Sequence, residues 1–245
     1  MEYDDGNLIK GLQELKIPFT DDMLCKLHLY YEMMVAKNQV MNLTAITEYD
    51  EVVTKHWLDS LCFAKVYLPL RKDGFSPRLI DVGTGAGFPG IPIKIFFPEI
   101  EVLLLDSLQK RIVFLQDVVD KLELDTIYCV HGRAEELSRK ESYRECYDFA
   151  VSRAVARLAS LSELCIPFVK PGGRFVSYKT DSSAGETEES LFAIRSLGCN
   201  RPEVIQYQVP CSDLSRTLVS AMKVSSTPAK YPRGGGKPLK QPLLG

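Results

Sequence analysis

At 245 residues, with 45% hydrophobic and 25% charged side chains, the chain has the makeup of an ordinary globular protein, large enough for one α/β domain with an appendage. A net charge of −2 excludes a protein coated in basic residues, and apolar runs such as "IPIKIFF" are too short for a membrane span. The acidic opening "MEYDDGNLIK" lacks the basic and apolar regions of a secretory signal, so a cytoplasmic location is expected.

Residues 1–70 read as a helical extension packed on the main body. In "TDDMLCKLHLYYEMMVAKNQ", Thr20 or Asp21 caps a helix whose apolar positions Met23, Leu24, Leu27, Tyr30, Tyr31, Met34 and Val35 follow a 3.6-residue period. "NLTAI" at Asn42–Ile46 breaks it, and "EYDEVVTKHWLDSLCFAKVYL" predicts one or two further helices before the loop "PLRKDGFSP".

The main α/β domain, 71–245, changes texture at Arg78. "RLIDVG" predicts a buried strand and Ile91–Phe97 a helix; "EVLLLD" predicts a second strand, followed by the amphipathic "SLQKRIVFLQDVVDKL". "TIYCVHG" and "YDFAVSRA" predict strands three and four, and a helix spans about Leu158–Val169. A turn at Pro171-Gly172-Gly173 then leads into "RFVSYKT". Alternating strands and helices imply a mostly parallel, doubly wound sheet of Rossmann-like type. The last two strand-like runs, "PEVIQYQVP" and "RTLVSAMKVSS", have too short a link for a helical crossover, so an antiparallel C-terminal pair completes seven strands.

Seven cysteines without a C-x-x-C pair read as reduced core thiols, and the three histidines show no ligand spacing, so no metal is expected. No Asp or Glu follows Asp213, whereas Arg216, Lys223, Lys230, Arg233, Lys237 and Lys240 do. The Pro- and Gly-rich end, which has little apolar area of its own, is therefore a candidate basic tail for an anionic partner.

"LIDVGTGAGFPGIPIKIFF" places Gly83, Gly85, Gly87 and Gly90 between the first strand and its helix, where bare backbone lets a ligand approach closely. Gly85-x-Gly87-x-x-Gly90 fits a dinucleotide loop, and Asp81-x-Gly83-x-Gly85-x-Gly87 fits the loop of class I S-adenosylmethionine (SAM) enzymes. Asp106, ending the second strand, suits a ribose diol in either class. Three features favour SAM. Asp81 could act on the cationic amino-acid end of the cofactor, where a pyrophosphate would be repelled. Ala134 and Glu135 in "GRAEEL" offer contacts for the adenine amino group. The antiparallel strand pair is not expected of a dinucleotide domain.

The acceptor site of such an enzyme lies after the fourth strand, where this chain reads "VSRAVARL" with Arg153 and Arg157. The Pro-Pro-aromatic stretch used for exocyclic amines is absent from it, and Pro210-Cys211, which resembles the nucleophile dipeptide of pyrimidine-carbon enzymes, falls near the late strands and reads as core. A purine ring nitrogen needs neither device: its lone pair lies in the ring plane and carries no proton, so no general base is demanded.

"NLTAI", "HWLDSL", "DVGTGAGFPGIP", "LLLDSLQKRIVFL", "GRAEEL", "YDFAVSRAVARL", "KPGGRFVSYK" and "KYPRGGGKP" occur in that order, and from about Asn42 onward the chain resembles the RsmG (GidB) family of bacterial 16S ribosomal RNA methyltransferases. The resemblance implies a class I SAM-dependent fold, N7 methylation of a guanine in the 530 loop, and 16S rRNA or the small subunit as partner. It carries cofactor contacts onto Gly83, Phe88, Ala134, Glu135 and Arg153, with Asp81 and Gly85 in the same loop and Asp106 and Ser107 facing the ribose. Arg153, Arg157, Lys179, Lys230, Tyr231 and Arg233 are the candidates for meeting phosphate or base, with His56 and Asp59 as further possible site residues; Trp57 stands where the family usually has Phe. A monomer is expected. The rival readings are a SAM enzyme of a small molecule, an NAD-binding oxidoreductase, and a non-catalytic RNA-binding protein.

Overall fold

The computed structural model describes residues 3–153, 156–180 and 184–245; Ala154 and Val155 of the "VSRAVARL" stretch lie outside them. The chain opens with helices α1 (Gly6–Glu14) and α2 (Asp21–Met41). Thr20 Oγ1 accepts from Met23 N to cap α2, and Asn42 ends it in the left-handed region at φ 48°. Next, α3 (Tyr49–Val52) runs through a π-helical turn, Val53–Leu58, into α4 (Asp59–Leu61), and α5 (Ala64–Tyr67) follows.

The sheet and its crossovers then alternate: β1 (Arg78–Val82), α6 (Gly90–Phe96), β2 (Glu101–Asp106), α7 (Gln109–Lys121), β3 (Ile127–His131), α8 (Ala134–Leu137), β4 (Tyr147–Arg153), α9 (Leu158–Cys165) and β5 (Val169–Thr180). Two short helices, α10 (Ala184–Glu189) and α11 (Leu191–Ser196), precede β6 (Glu203–Gln208) and β7 (Ser215–Met222), and α12 (Lys237–Lys240) lies near the end. The strand order is β3-β2-β1-β4-β5-β7-β6. β1 to β5 pair in parallel, and β7 runs antiparallel to both β5 and β6.

Central strands are buried on both faces, as continuous apolar runs require. Leu79, Val102, Leu104 and Phe149 turn to one face, against Tyr30, Trp57 and Phe63 of the N-terminal helices. Ile80, Leu103, Leu105 and Ala150 turn to the other, against Leu158 and Leu161 of α9. The helical extension therefore shares a core with the sheet.

Three local readings are corrected. The helix predicted to reach Val169 ends at Cys165, and a 3-10 turn at Ile166–Phe168 delivers Val169 directly into β5. Pro171-Gly172-Gly173 is an irregularity inside β5, where the pairing jumps from Tyr147↔Val169 to Phe149↔Arg174; a Cβ on Gly173 would sit 2.6 Å from Asp148 O. Of the cysteines, Cys62, Cys165 and Cys199 are core, but Cys25 is exposed, and Cys129, Cys146 and Cys211 are half-buried.

Candidate functional site

The glycine loop leaves β1 at the carboxyl edge of the sheet. Gly83, Gly85 and Gly87 all have left-handed φ, at 74°, 63° and 109°. A Cβ on Gly85 would meet nothing within 4 Å, because that side faces the cleft. Gly87 is packed instead, with Tyr30 Oη 2.7 Å and Ile91 Cδ1 2.5 Å from its absent Cβ. Tyr30, fully buried on α2, donates its hydroxyl to Ala86 O at 2.6 Å, so the N-terminal extension props the loop from below.

Asp81 does not reach the cleft, contrary to expectation. It is fully buried under the loop, where Oδ2 accepts from Thr84 Oγ1 at 2.7 Å and from Gly90 N at 2.9 Å. Its Oδ1 has no hydrogen-bond partner, and burial pushes its pKa up to about 6. Its bonded oxygen holds the turn together.

Two connected clefts open above. One, of about 420 Å³, is lined by the loop from Gly83 to Ala86, by Phe88, Asp106, Ser107, Arg111 and Arg153, and by Leu43, Thr44 and His56. A narrower one of about 120 Å³ shares Gly83, Asp106 and Ser107 with it and continues past Gly132, Ala134, Glu135 and Leu164. Asp106 accepts from Gly85 N, Leu108 N and Arg111, which fixes its carboxylate at the junction. Ala134 and Glu135 open α8, so their N–H groups have no intrahelical acceptor.

Arg153, ending β4, forms the far wall. Its Nη1 donates to Asp59 Oδ2 at 3.0 Å and to Lys55 O at 3.1 Å, and its Nη2 to His56 Nδ1 at 3.2 Å. Those acceptors all lie in or just after the π-helical turn, a feature frequent at functional sites. Tyr207 on β6 donates to the other Asp59 oxygen at 2.9 Å. The His56 ring stacks on Phe88 with centroids 4.4 Å apart, and the Arg153 guanidinium lies 5.2 Å from the centre of the same ring. Burial, followed by the charge of Arg153, lowers the His56 pKa to about 3, so the imidazole is neutral at neutral pH. Because Nδ1 accepts from Arg153, the proton sits on Nε2, which faces Thr44 Oγ1 at 2.9 Å.

Beyond this wall lies a third cleft, of about 390 Å³, lined by Lys55, His56, Asp59, Arg153, Tyr178, Lys179, Thr180, Glu186 and Arg216. Its rim combines four cations with two carboxylates. His56 and Arg153 line both this cleft and the loop cleft.

Of the residues expected to meet an acceptor, Arg153 and Lys179 are here, Lys179 bonded to Ala156 O and Glu186. Arg157 is exposed at the start of α9 and lines neither cleft. The tail residues are elsewhere, which corrects their grouping. Tyr231 is 8% exposed, and Arg233 is held by both oxygens of the fully buried Glu163. Only Lys230 of the three is exposed. Lys223, counted with the tail cations, is buried against Glu145. The sequence reading assigns no site role to Tyr30, Lys55, Arg111 or Tyr207, and counts Arg216 only with the basic tail; chain folding brings each of them to the site.

Strand order, the single reversed strand and a glycine loop at the carboxyl edge define a class I SAM-dependent methyltransferase fold. A predicted O-methyltransferase from Agrobacterium tumefaciens shares the fold, with a TM-score of 0.53 at 20% identity over 69% of this chain and 80% of that one. The family pattern described as rRNA small subunit methyltransferase G (GidB) matches residues 23–215. Two proteins named ribosomal RNA small subunit methyltransferase G are similar over nearly the whole length. The one from Lachnoclostridium phytofermentans is 49% identical, covering 98% of both chains, and the one from Alkaliphilus metalliredigens is 46% identical, covering 95% and 96%. The chain belongs to the rRNA small subunit methyltransferase G family.

Proposed function

We propose that this chain transfers the methyl group of S-adenosylmethionine to N7 of a guanine in 16S ribosomal RNA, acting on that RNA or on the small subunit that contains it. The observation that carries this reading is the shared wall: one neutral histidine and one paired arginine separate the glycine-loop cleft from a second cleft with a cationic rim.

The residues fit the donor. Gly85 leaves its cleft side open, Asp106 and Ser107 stand where a ribose diol would lie, and the narrow cleft past Ala134 and Glu135 has the place of an adenine pocket. Bound there, SAM supplies an electrophilic methyl group on a sulfonium. Guanine N7 attacks with an in-plane lone pair and releases no proton, so the site needs alignment and no base. The neutrality of His56 suits that requirement. The positive charge of the donor ends on the methylated base, and Asp59 and Glu186 border the cleft in which that charge would develop. Arg153 would repel it if bare, but its ion pair with Asp59 offsets this.

In A-form RNA, N7 lies in a deep, narrow major groove, so the target should be a loop base or one swung out of its stack. Lys55, Lys179 and Arg216, on the cationic rim of the cleft, would hold its phosphates. We further propose that residues 1–70 serve the site through Tyr30 and His56 and are not a separate functional unit. The test is transfer of labelled methyl from SAM to 16S rRNA, to small subunits and to free nucleosides, followed by aniline cleavage after borohydride reduction, which cuts at N7-methylguanine. Label at one guanine of the rRNA with cleavage there is expected. Label on free nucleosides alone, or without cleavage, overturns the reading.

A further inference from the structure

The adenine end of the donor site has a wall made by a distant part of the chain. Leu239, on α12, lines the narrow cleft opposite Gly132, Ala134 and Glu135, and 51% of it is exposed. Its exposed part is apolar surface at the cleft edge, and a ring bound in the cleft would cover some of it. We propose that the C-terminal segment completes the adenine pocket, with Leu239 packing on the purine ring, so that the tail sets affinity for the donor and not for RNA. This inference rests on the reading of the cleft as a SAM site.

Several anchors fix the tail in place. Arg233 is the central one: its backbone N and Nε reach Glu163 Oε1 at 2.7 and 2.9 Å, and its Nη2 reaches Oε2 at 2.7 Å and Gln241 O at 2.6 Å. Arg144 donates to Thr227 O at 2.8 Å and to Tyr231 O at 3.0 Å, and Arg139 bonds Pro232 O. Tyr231 joins the apolar cluster under α9. Gly236, with φ 70°, caps the start of α12, and Leu239 N and Lys240 N both return to its carbonyl. Arg139 and Arg144 follow the same α8 that supplies Ala134 and Glu135, and Glu163 is the neighbour of Leu164 in the cleft wall. The tail is thus anchored to segments that adjoin, in sequence, the residues lining this cleft. Of the tail cations, Lys223 and Arg233 are tied to Glu145 and Glu163, whereas Lys230, Lys237 and Lys240 are exposed.

The ligand class is a purine ring presented edge-on to α8 with one face toward an aliphatic side chain. The experiment uses full-length Leu239→Ala, Leu239→Asp and Leu239→Phe beside the unaltered protein. Titration calorimetry measures SAM and S-adenosylhomocysteine, and filter binding measures 16S rRNA across salt concentrations. Leu239→Ala should weaken both nucleosides about fivefold, the order expected for losing an apolar cover of half a leucine. Leu239→Asp should weaken them further, and Leu239→Phe should restore binding. KM for SAM should rise with kcat at saturating donor unchanged, and RNA affinity and its salt slope should not move. Because Leu239 is half exposed, the substitutions leave the fold intact, which thermal melting verifies. If the unaltered protein binds SAM and Leu239→Ala binds it equally well, the inference is overturned while the donor reading stands. Loss of RNA affinity in Leu239→Ala overturns it too. If the unaltered protein does not bind SAM, both fall.

Discussion

His56→Gln is the most informative perturbation of the wall between the clefts, because the structure fixes the sign and size of its pH dependence. In the unfolded chain the imidazole takes up a proton near its ordinary value of 6.5, whereas in the folded chain burial and the adjacent Arg153 delay this to about pH 3. Between those values the unfolded state binds more protons. The contribution of His56 to stability is therefore full above pH 6.5 and is lost as the pH falls, at about 1.4 kcal/mol per unit, or about 2 kcal/mol by pH 5. Asp81 works in the opposite direction. Its folded pKa of about 6 lies above the usual carboxylate value of 3.8, so acidification between them favours the folded state. Wild type alone would show the difference of the two effects, but the Asp81 part cancels when wild type is compared with His56→Gln. At pH 7.5 the variant should be less stable by about 2 kcal/mol, having lost the ring stacked on Phe88 and the bonds to Arg153 and Thr44. By pH 5 the two proteins should be about equal. Urea unfolding at four pH values measures the gap, and the His56 ring resonances follow protonation directly. A gap that stays constant from pH 7.5 to 5, or a ring that titrates near 6.5, refutes the assignment of a desolvated, neutral imidazole.

Four further outcomes are expected. Gly87→Ala should cost about 2–4 kcal/mol and abolish SAM binding, since its φ of 109° is strained for any side chain and its Cβ meets Tyr30 and Ile91. Gly85→Ala, with nothing within 4 Å of the new methyl group, should fold with a cost of about 1 kcal/mol yet still weaken SAM in calorimetry. Arg233→Ala leaves Glu163 buried without its partner and should lower stability by about 3 kcal/mol in thermal or urea unfolding, with the salt slope of RNA binding unchanged. Arg216→Ala should do the reverse, reducing that slope by about one unit with little effect on melting; a full slope would remove Arg216 from the RNA surface.

The sequence by itself determined the sheet and the donor loop, because both are written in local patterns. Continuous apolar runs mark strands buried on two faces, turn residues mark their ends, and closely spaced glycines mark backbone that must turn left-handed beside a ligand. Gly83, Gly85, Asp106, Ala134, Glu135 and Arg153, read from such patterns, line the clefts, as do Phe88 and Ser107, which the family resemblance supplied. Asp81 shows the limit of such patterns: its position after β1 was legible, but whether its carboxylate pointed into the cleft or under the loop depended on Thr84 and Gly90. Only the tertiary structure decided where the cations went. Arg216 and Arg233 look alike in one basic tail, yet one borders the cleft with the cationic rim and the other is tied to Glu163, 70 residues away in the chain. Pairing energies fall off with distance in space, and spacing along a chain that crosses a sheet repeatedly does not encode that distance. The same reason kept Tyr30 and Leu239 out of sight, since each acts through a contact made only after the sheet has brought the two ends of the chain to its carboxyl edge.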